Sequence, residues 1–340
     1  MRAAVLNRPG DVKVVERPDP VPGSHEVVVR VTAVGVCGSD THYFDHGRIG
    51  RFVVEQPMVL GHESSGVIEA VGSEVDPGRV GQRVSIEPGV PDFTCQQCLA
   101  GRYNLCPAMV FYATPPVDGS LAELAVIHET FAHPVPDSMS DETAALLEPL
   151  SVGVWACRKG GVSAGSSVLV TGAGPVGLVA AQVAGACGAA MVAVADINPY
   201  RLSVASRLGA TLAIDVRDAE LGKAFAESMR PDILIECSGH PGITGDGIRA
   251  LAPNGTAVLV GMGGDELALP LSVVQERELS VTGTFRYANT WPTAIALVTS
   301  GRVTLDVLVT GHFSLDQTAQ ALTAARDDPH AIKAIILPQT

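Results

Sequence analysis

The stretch SSVLVTGAGPVGLVAAQVAGACGAAMVAVAD, residues 166–196, decides the fold. SSVLVTG is a Val-rich run of strand character, PVGLVAAQVAGACGA reads as a helix, and AMVAVAD as a second strand. Between the first strand and the helix stands Gly172-x-Gly174-x-x-Gly177. Alone, such a triplet says little, because glycines are common in turns. At a strand-to-helix junction each glycine acquires a task. Gly172 permits the tight turn, Gly174 lets a pyrophosphate approach the backbone, and Gly177 lets helix and strand pack closely. Pro175 and Val176 open the helix, whose N-terminus offers unpaired N–H groups to a phosphate. Nineteen residues after Gly177, at the end of the next strand, Asp196 can accept the hydroxyls of a ribose and would repel a 2′-phosphate. That favours NAD over NADP. Arg201, five residues on, tempers this preference, and the bland alternative is a glycine-rich turn with an N-capping aspartate.

Outward from this unit the alternation continues. A polar helical stretch at 199–209 is followed by TLAIDV, DILIECSG and GTAVLVGMG. Strands alternating with helices imply an α/β, doubly wound parallel sheet. The first 150 residues have another texture. EVVVRVTAVGV, SSGVIEAVG and GQRVSIEPG are Val/Ile-rich runs punctuated by glycine and proline, as in a β-rich, barrel-like domain. Aromatic residues follow the same division: between 150 and 283 only Trp155, Tyr200 and Phe225 occur.

At 340 residues, two domains are the natural prior. The net charge of −13 argues against nucleic acid or an anionic membrane as partner. No charged residue occurs from Gly160 to Ala195, but eight glycines and a proline interrupt the run, so a buried α/β core explains it better than a membrane span. The N-terminal apolar run, Ala3 to Leu6, is too short for a signal peptide, and seven cysteines make a disulfide framework unattractive. The cytoplasm is the expected compartment.

Metal-ligating residue types concentrate before the nucleotide unit: Cys37 in GVCGSDTHY, His62 and Glu63 in LGHESSG, and Glu148 in ALLEPLSVG. Singly, each has a plain reading as packing or surface. Glu148, flanked by apolar residues, needs a compensating partner, and a zinc ion would be one. Gly61-His62-Glu63-x-x-Gly66-x5-Gly72-x-x-Val75 resembles the signature of the zinc-containing medium-chain alcohol dehydrogenases, with Cys37 at the family interval before it. The segments CGSDTHYFDHGRIG, EPLSVGVWACRKGGV, GAGPVGLV and FRYANTWP are similar to the sorbitol/polyol dehydrogenase branch, and the resemblance covers essentially the whole chain.

The resemblance implies a GroES-like β-rich catalytic domain, residues 1–149 and 284–340, and a Rossmann cofactor domain, residues 150–283, with the active site in the cleft. It implies Cys37, His62 and Glu63 as ligands of a catalytic zinc, with Glu148 reaching zinc-bound water or substrate. Zinc with one thiolate and one carboxylate carries no net formal charge, whereas ligation by both Glu63 and Glu148 would leave −1. One carboxylate is therefore expected to bind firmly while the other exchanges. Asp40 would orient His62, and Ser39 and His42 would pass a proton to solvent. Tyr43, Arg286 and Tyr287 resemble substrate-contacting residues, and their polar lining suits a ligand with many hydroxyls. Val176, Val260, Gly261, Met262, Thr284, Phe285 and Arg286 match stretches that touch NAD.

The family also places a structural zinc on a lobe with spacing C-x2-C-x2-C-x7-C. Cys95, Cys98 and Cys106 fit, but the first position is Asp92, a harder ligand than thiolate. A site of one aspartate and three thiolates is the preferred reading, ahead of an empty lobe and of a Cys95/Cys98 redox pair. Cys157, Cys187 and Cys237 fall in predicted core elements. The leading function is an NAD- and zinc-dependent polyol dehydrogenase yielding a ketose. A diol, a cyclic polyol or threonine as substrate is the nearest alternative, and a non-catalytic nucleotide-binding scaffold is a more distant one. Members of the family are commonly homotetramers.

Overall fold

The computed structural model describes residues 1–264 and 266–340. The chain forms two compact units, Met1–Glu148 with Leu305–Thr340, and Pro149–Thr304.

In the first unit the Val-rich run becomes the long strand Glu26–Gly35, at the centre of a seven-stranded sheet. It pairs antiparallel with Glu63–Val71 from Val27↔Val71 to Gly35↔Glu63, with Leu124–His128, and with Lys333–Leu337 through Ile335↔Gly35. The C-terminal AIKAIILP segment thus supplies a strand to this unit, as its apolar pattern suggests. Val27, Val29, Val31, Ile68, Val84 and Ile86 are fully buried and form the core; each such side chain contributes about 1.5–3 kcal/mol. The register puts Gly35 opposite Glu63, where a Cβ would lie 2.1 Å from Glu63 Oε2. Only glycine leaves room for that carboxylate. A short antiparallel pair, Gly89–Val90 with Val110–Phe111, brackets the cysteine-rich lobe.

The second unit is a six-stranded, wholly parallel sheet. Its order is Leu212–Asp215, Met191–Asp196, Ser167–Thr171, Ile233–Glu236, Thr256–Leu259, Ser280–Gly283. Strand order reverses at Ser167–Thr171, the switch point at which open α/β sheets bind ligands. Val168, Leu169 and Val170 are fully buried, which explains the uncharged run without a membrane. Among the described residues no helix is long and apolar enough to cross one.

The resemblance implies a return to the first domain at residue 284; the compact units divide at Leu305. The reason is long-range bonding: Arg158 donates to Asn289 O and Thr293 Oγ1 at 2.8 Å each, and Gln182 exchanges hydrogen bonds with Thr304. Cys157 is buried as expected, but Cys187, the C-cap of helix Pro175–Ala186, is exposed.

Candidate metal centre and cofactor loop

Cys37 is the N-cap of helix Gly38–His46. The buried Asp40, third residue of that helix, accepts from Cys37 N at 3.1 Å and from Gly61 N at 2.9 Å. One carboxylate therefore fixes both segments that carry metal-ligating residues. His62 Nδ1 lies 3.6 Å from Asp40 Oδ1. Burial opposes a charged His62, but Asp40 and Cys37 outweigh it and hold the imidazole well above its usual range; burial likewise opposes the Asp40 carboxylate, which His62 holds below its usual value. The proton retained on such an imidazole is the one a divalent cation replaces. Ligand atoms of Cys37, His62 and Glu63 lie within 4.8 Å of one another. A sulfur, an imidazole and a carboxylate converging in this way fit a zinc site with one position left for a reactant.

Sequence reasoning missed the partner of Glu63. Lys333, 3% exposed, donates to both carboxylate oxygens of Glu63 at 2.7 Å and to Val36 O at 2.8 Å. Glu63 itself is 1% exposed. Glu148, buried in the first turn of helix Leu147–Gly160, lies outside the three-residue cluster, yet its charge also favours the Lys333 ammonium. The buried cation changes the expected electrostatics. A divalent ion and an ammonium against a thiolate and two carboxylates leave no net charge, so charge alone does not force one carboxylate to leave. The signal was the lone lysine in an apolar strand, which needs a buried anion.

Asp92, Cys95, Cys98 and Cys106 form a second convergent set, with ligand atoms again within 4.8 Å. Cys95 Sγ and Cys98 Sγ are 3.4 Å apart, as are Cys98 Sγ and Asp92 Oδ1. The first approaches the ~3.8 Å sulfur–sulfur edge of a tetrahedron with Zn–S bonds of about 2.3 Å, and the second the somewhat shorter sulfur–oxygen edge. Asp92 Oδ1 also accepts from Thr94 N and Cys95 N at 2.9 and 2.8 Å, which lowers the carboxyl's pKa. The Cys98 amide holds the Cys95 thiol below its usual range, while burial and the neighbouring ligands push Cys98 up to about 12.

In the second unit, Gly172 has φ +86°, and a Cβ at Gly177 would meet Gly172 O at 1.8 Å. Gly174 caps the helix that begins at Pro175 and Val176, and a Cβ there would meet nothing within 4 Å. Open space at a helix N-terminus fits a pyrophosphate. Asp196 Oδ2 accepts from Ala173 N at 2.6 Å, so the strand-tip carboxylate also steadies the glycine loop. Arg201 lies in the first turn of helix Pro199–Arg207, its N–H bonded to Asn198 Oδ1.

A second missed residue is the buried Glu236. Its Oε1 accepts from Ser238 N at 2.8 Å, Gly239 N at 3.1 Å, Thr171 Oγ1 at 3.3 Å and the Ser238 hydroxyl, while its backbone O accepts from Val260 N and Gly261 N. It joins the first glycine turn to the Val260–Met262 segment. Thr284 N bonds Leu259 O at 3.0 Å. Arg286, at φ +56°, lies 4.7 Å over the exposed Phe285 ring, and Tyr287 is buried 5.3 Å from Trp291. In the first unit, Tyr43 is buried, Ser39 half-buried and His42 exposed.

The model of the alcohol dehydrogenase GroES-like domain matches residues 23–137, and that of zinc-binding dehydrogenases matches 175–300. Sorbitol dehydrogenase of Macaca fascicularis is 45% identical over 323 residues, which cover 93% of this chain and 90% of that protein. The chain belongs to the zinc-containing medium-chain alcohol dehydrogenases, in the branch of the sorbitol dehydrogenases. The human sorbitol dehydrogenase is 44% identical over 322 residues, again covering 93% and 90%. Among solved structures, one described as a short chain alcohol dehydrogenase from E. coli CFT073, complexed with NADH, superposes with a TM-score of 0.93, 31% identity and 99% of each chain covered. L-idonate 5-dehydrogenase from E. coli gives 0.92 at 27% identity, covering 99% of this chain and 98% of that one. The Cys37, His62 and Glu63 convergence, like the contacts of Lys333 and Glu236, rests on the geometry.

Proposed function

We propose that the protein oxidises a secondary hydroxyl of a sugar alcohol to a ketose, with NAD as hydride acceptor and zinc at Cys37, His62 and Glu63. The observation that carries this reading is the convergence of those three ligands beside the buried Glu148 and Lys333. Bound there, zinc supplies a Lewis acid that lowers the pKa of the substrate hydroxyl. Glu148 accepts a hydrogen bond from substrate or water, and Ser39 and His42 pass the released proton to solvent. Tyr43, Arg286 and Tyr287 contact the polyol hydroxyls. Gly172, Gly174, Pro175, Val176 and Gly177 cradle the pyrophosphate; Asp196, with Arg201 nearby, holds the ribose; and Val260, Gly261, Met262, Thr284, Phe285 and Arg286 line the remainder of the NAD site. A structural zinc at Asp92, Cys95, Cys98 and Cys106, a homotetramer and a cytoplasmic location belong to the same reading; the convergence of those four ligand atoms supports the first of them.

The test is a set of initial rates across pentitols and hexitols with NAD and NADP, before and after chelation. Activity on polyols with NAD, lost on chelation and restored by zinc, supports the proposal. Turnover confined to simple diols or threonine, or unaffected by complete zinc removal, overturns it.

A further inference from the structure

His42 and His46 stand one turn apart on helix Gly38–His46, both exposed, with ring centroids 5.4 Å apart and planes inclined by 58°. Residues four apart share one helix face. The separation has a chemical meaning. An ion bound through an imidazole nitrogen at about 2.0–2.1 Å lies about 3.2 Å from the ring centre, so two such rings at a tetrahedral angle have centres about 5.2 Å apart. The rings therefore already stand at the spacing of a two-imidazole chelate. Asp45, between them in sequence, is paired with Arg326 at 3.2 Å, so neither charge acts alone on a bound cation. The helix ends at Gly47, and the negative end of its dipole favours a cation beside His46.

We propose that His42 and His46 form a chelating site for a divalent transition-metal ion, distinct from the Cys37/His62/Glu63 centre, and that its occupancy withdraws His42 from proton transfer. The second clause rests on the relay role given to His42 above. Two imidazoles suit Cu2+, Ni2+ and Zn2+ and not Mg2+. The site would thus make the enzyme sensitive to excess of the kind of ion it uses.

Untagged, zinc-loaded enzyme and its His46→Gln variant are titrated with Ni2+ by calorimetry and with Cu2+ by electron paramagnetic resonance, and turnover is measured over the same range. The wild type is expected to take up one Ni2+ more than the variant and to show two nitrogen ligands to Cu2+. Ni2+ should inhibit it at concentrations at least ~10-fold lower than the variant, which loses one arm of the chelate. Without added metal the variant should turn over as the wild type does. Equal uptake by both proteins overturns the site. Uptake lost in the variant without inhibition of the wild type upholds the chelate and overturns its coupling to the relay.

Discussion

Lys333 holds both carboxylate oxygens of Glu63 at 2.7 Å, and neither side chain reaches solvent. Removing one member of a buried pair leaves the other uncompensated, at a cost of about 3–5 kcal/mol. Lys333→Met should therefore destabilise the chelated protein by that order, and Glu63→Gln in the same chain should restore part of it. Zinc supplies positive charge to Glu63, so the loss should be smaller in the zinc-loaded protein. Denaturant unfolding of both forms measures this; equal losses with and without zinc would remove Lys333 from the electrostatics of the centre. Burial works against the Lys333 ammonium, but Glu63 and Cys37 outweigh it, raising the pKa above its ordinary 10.5. The stabilisation from this ammonium is accordingly full below pH ~10.5 and is lost only as pH rises through the raised value.

Glu148 and Glu63 differ in ways a charge-neutral substitution can separate. Glu63 belongs to the convergent set, whereas Glu148 lies outside it. Glu148→Gln should retain catalytic zinc while lowering kcat by about 100-fold, the lower range for a residue that assists proton movement. Metal content and steady-state rates decide. A zinc-free Glu148→Gln protein would make Glu148 a required ligand.

The lobe thiols differ in reactivity. In chelated protein at pH 8, Cys95 is favoured as thiolate by the Cys98 amide, while burial and the neighbouring Cys95 and Asp92 hold Cys98 in its protonated form. Iodoacetamide should therefore modify Cys95 well before Cys98, and zinc should protect both together with Cys106. Peptide mapping by mass spectrometry reads the order; equal rates at Cys95 and Cys98 would contradict this asymmetry.

The elements were legible where local pattern governs them. Val-rich runs became Glu26–Gly35 and Ser167–Thr171, and the glycine spacing marked the turn at Gly172. His62 and Glu63 were legible because they are adjacent within a spaced motif. Lys333, a lone charge in an apolar strand, announced that it needs a buried anion but not which one, because its partner lies 270 positions away. Glu236 was hidden for a different reason: its partners include backbone N–H groups two and three residues on, which no side-chain pattern announces. The boundary at Leu305 depends on Arg158 reaching Asn289, again a contact between remote segments.

Asp196 performs two tasks that substitution can divide. Its carboxylate accepts from Ala173 N at 2.6 Å and from Asn198 N at 2.7 Å, and it stands at the strand tip proposed to hold the ribose. Asp196→Ala removes both acceptors and the charge. A hydrogen bond to a charged group is worth about 1.5–3 kcal/mol, so NAD should bind roughly 10- to 100-fold more weakly, with NADP gaining little because the loop itself loosens. Asp196→Asn keeps an acceptor for Ala173 N while removing the repulsion toward a 2′-phosphate. It should bind NAD only moderately more weakly and NADP more tightly than the wild type does, narrowing the preference. Fluorescence titration of both reduced cofactors against the three proteins separates loop support from charge discrimination. If Asp196→Asn leaves the NAD-to-NADP affinity ratio unchanged, the preference lies elsewhere in the site.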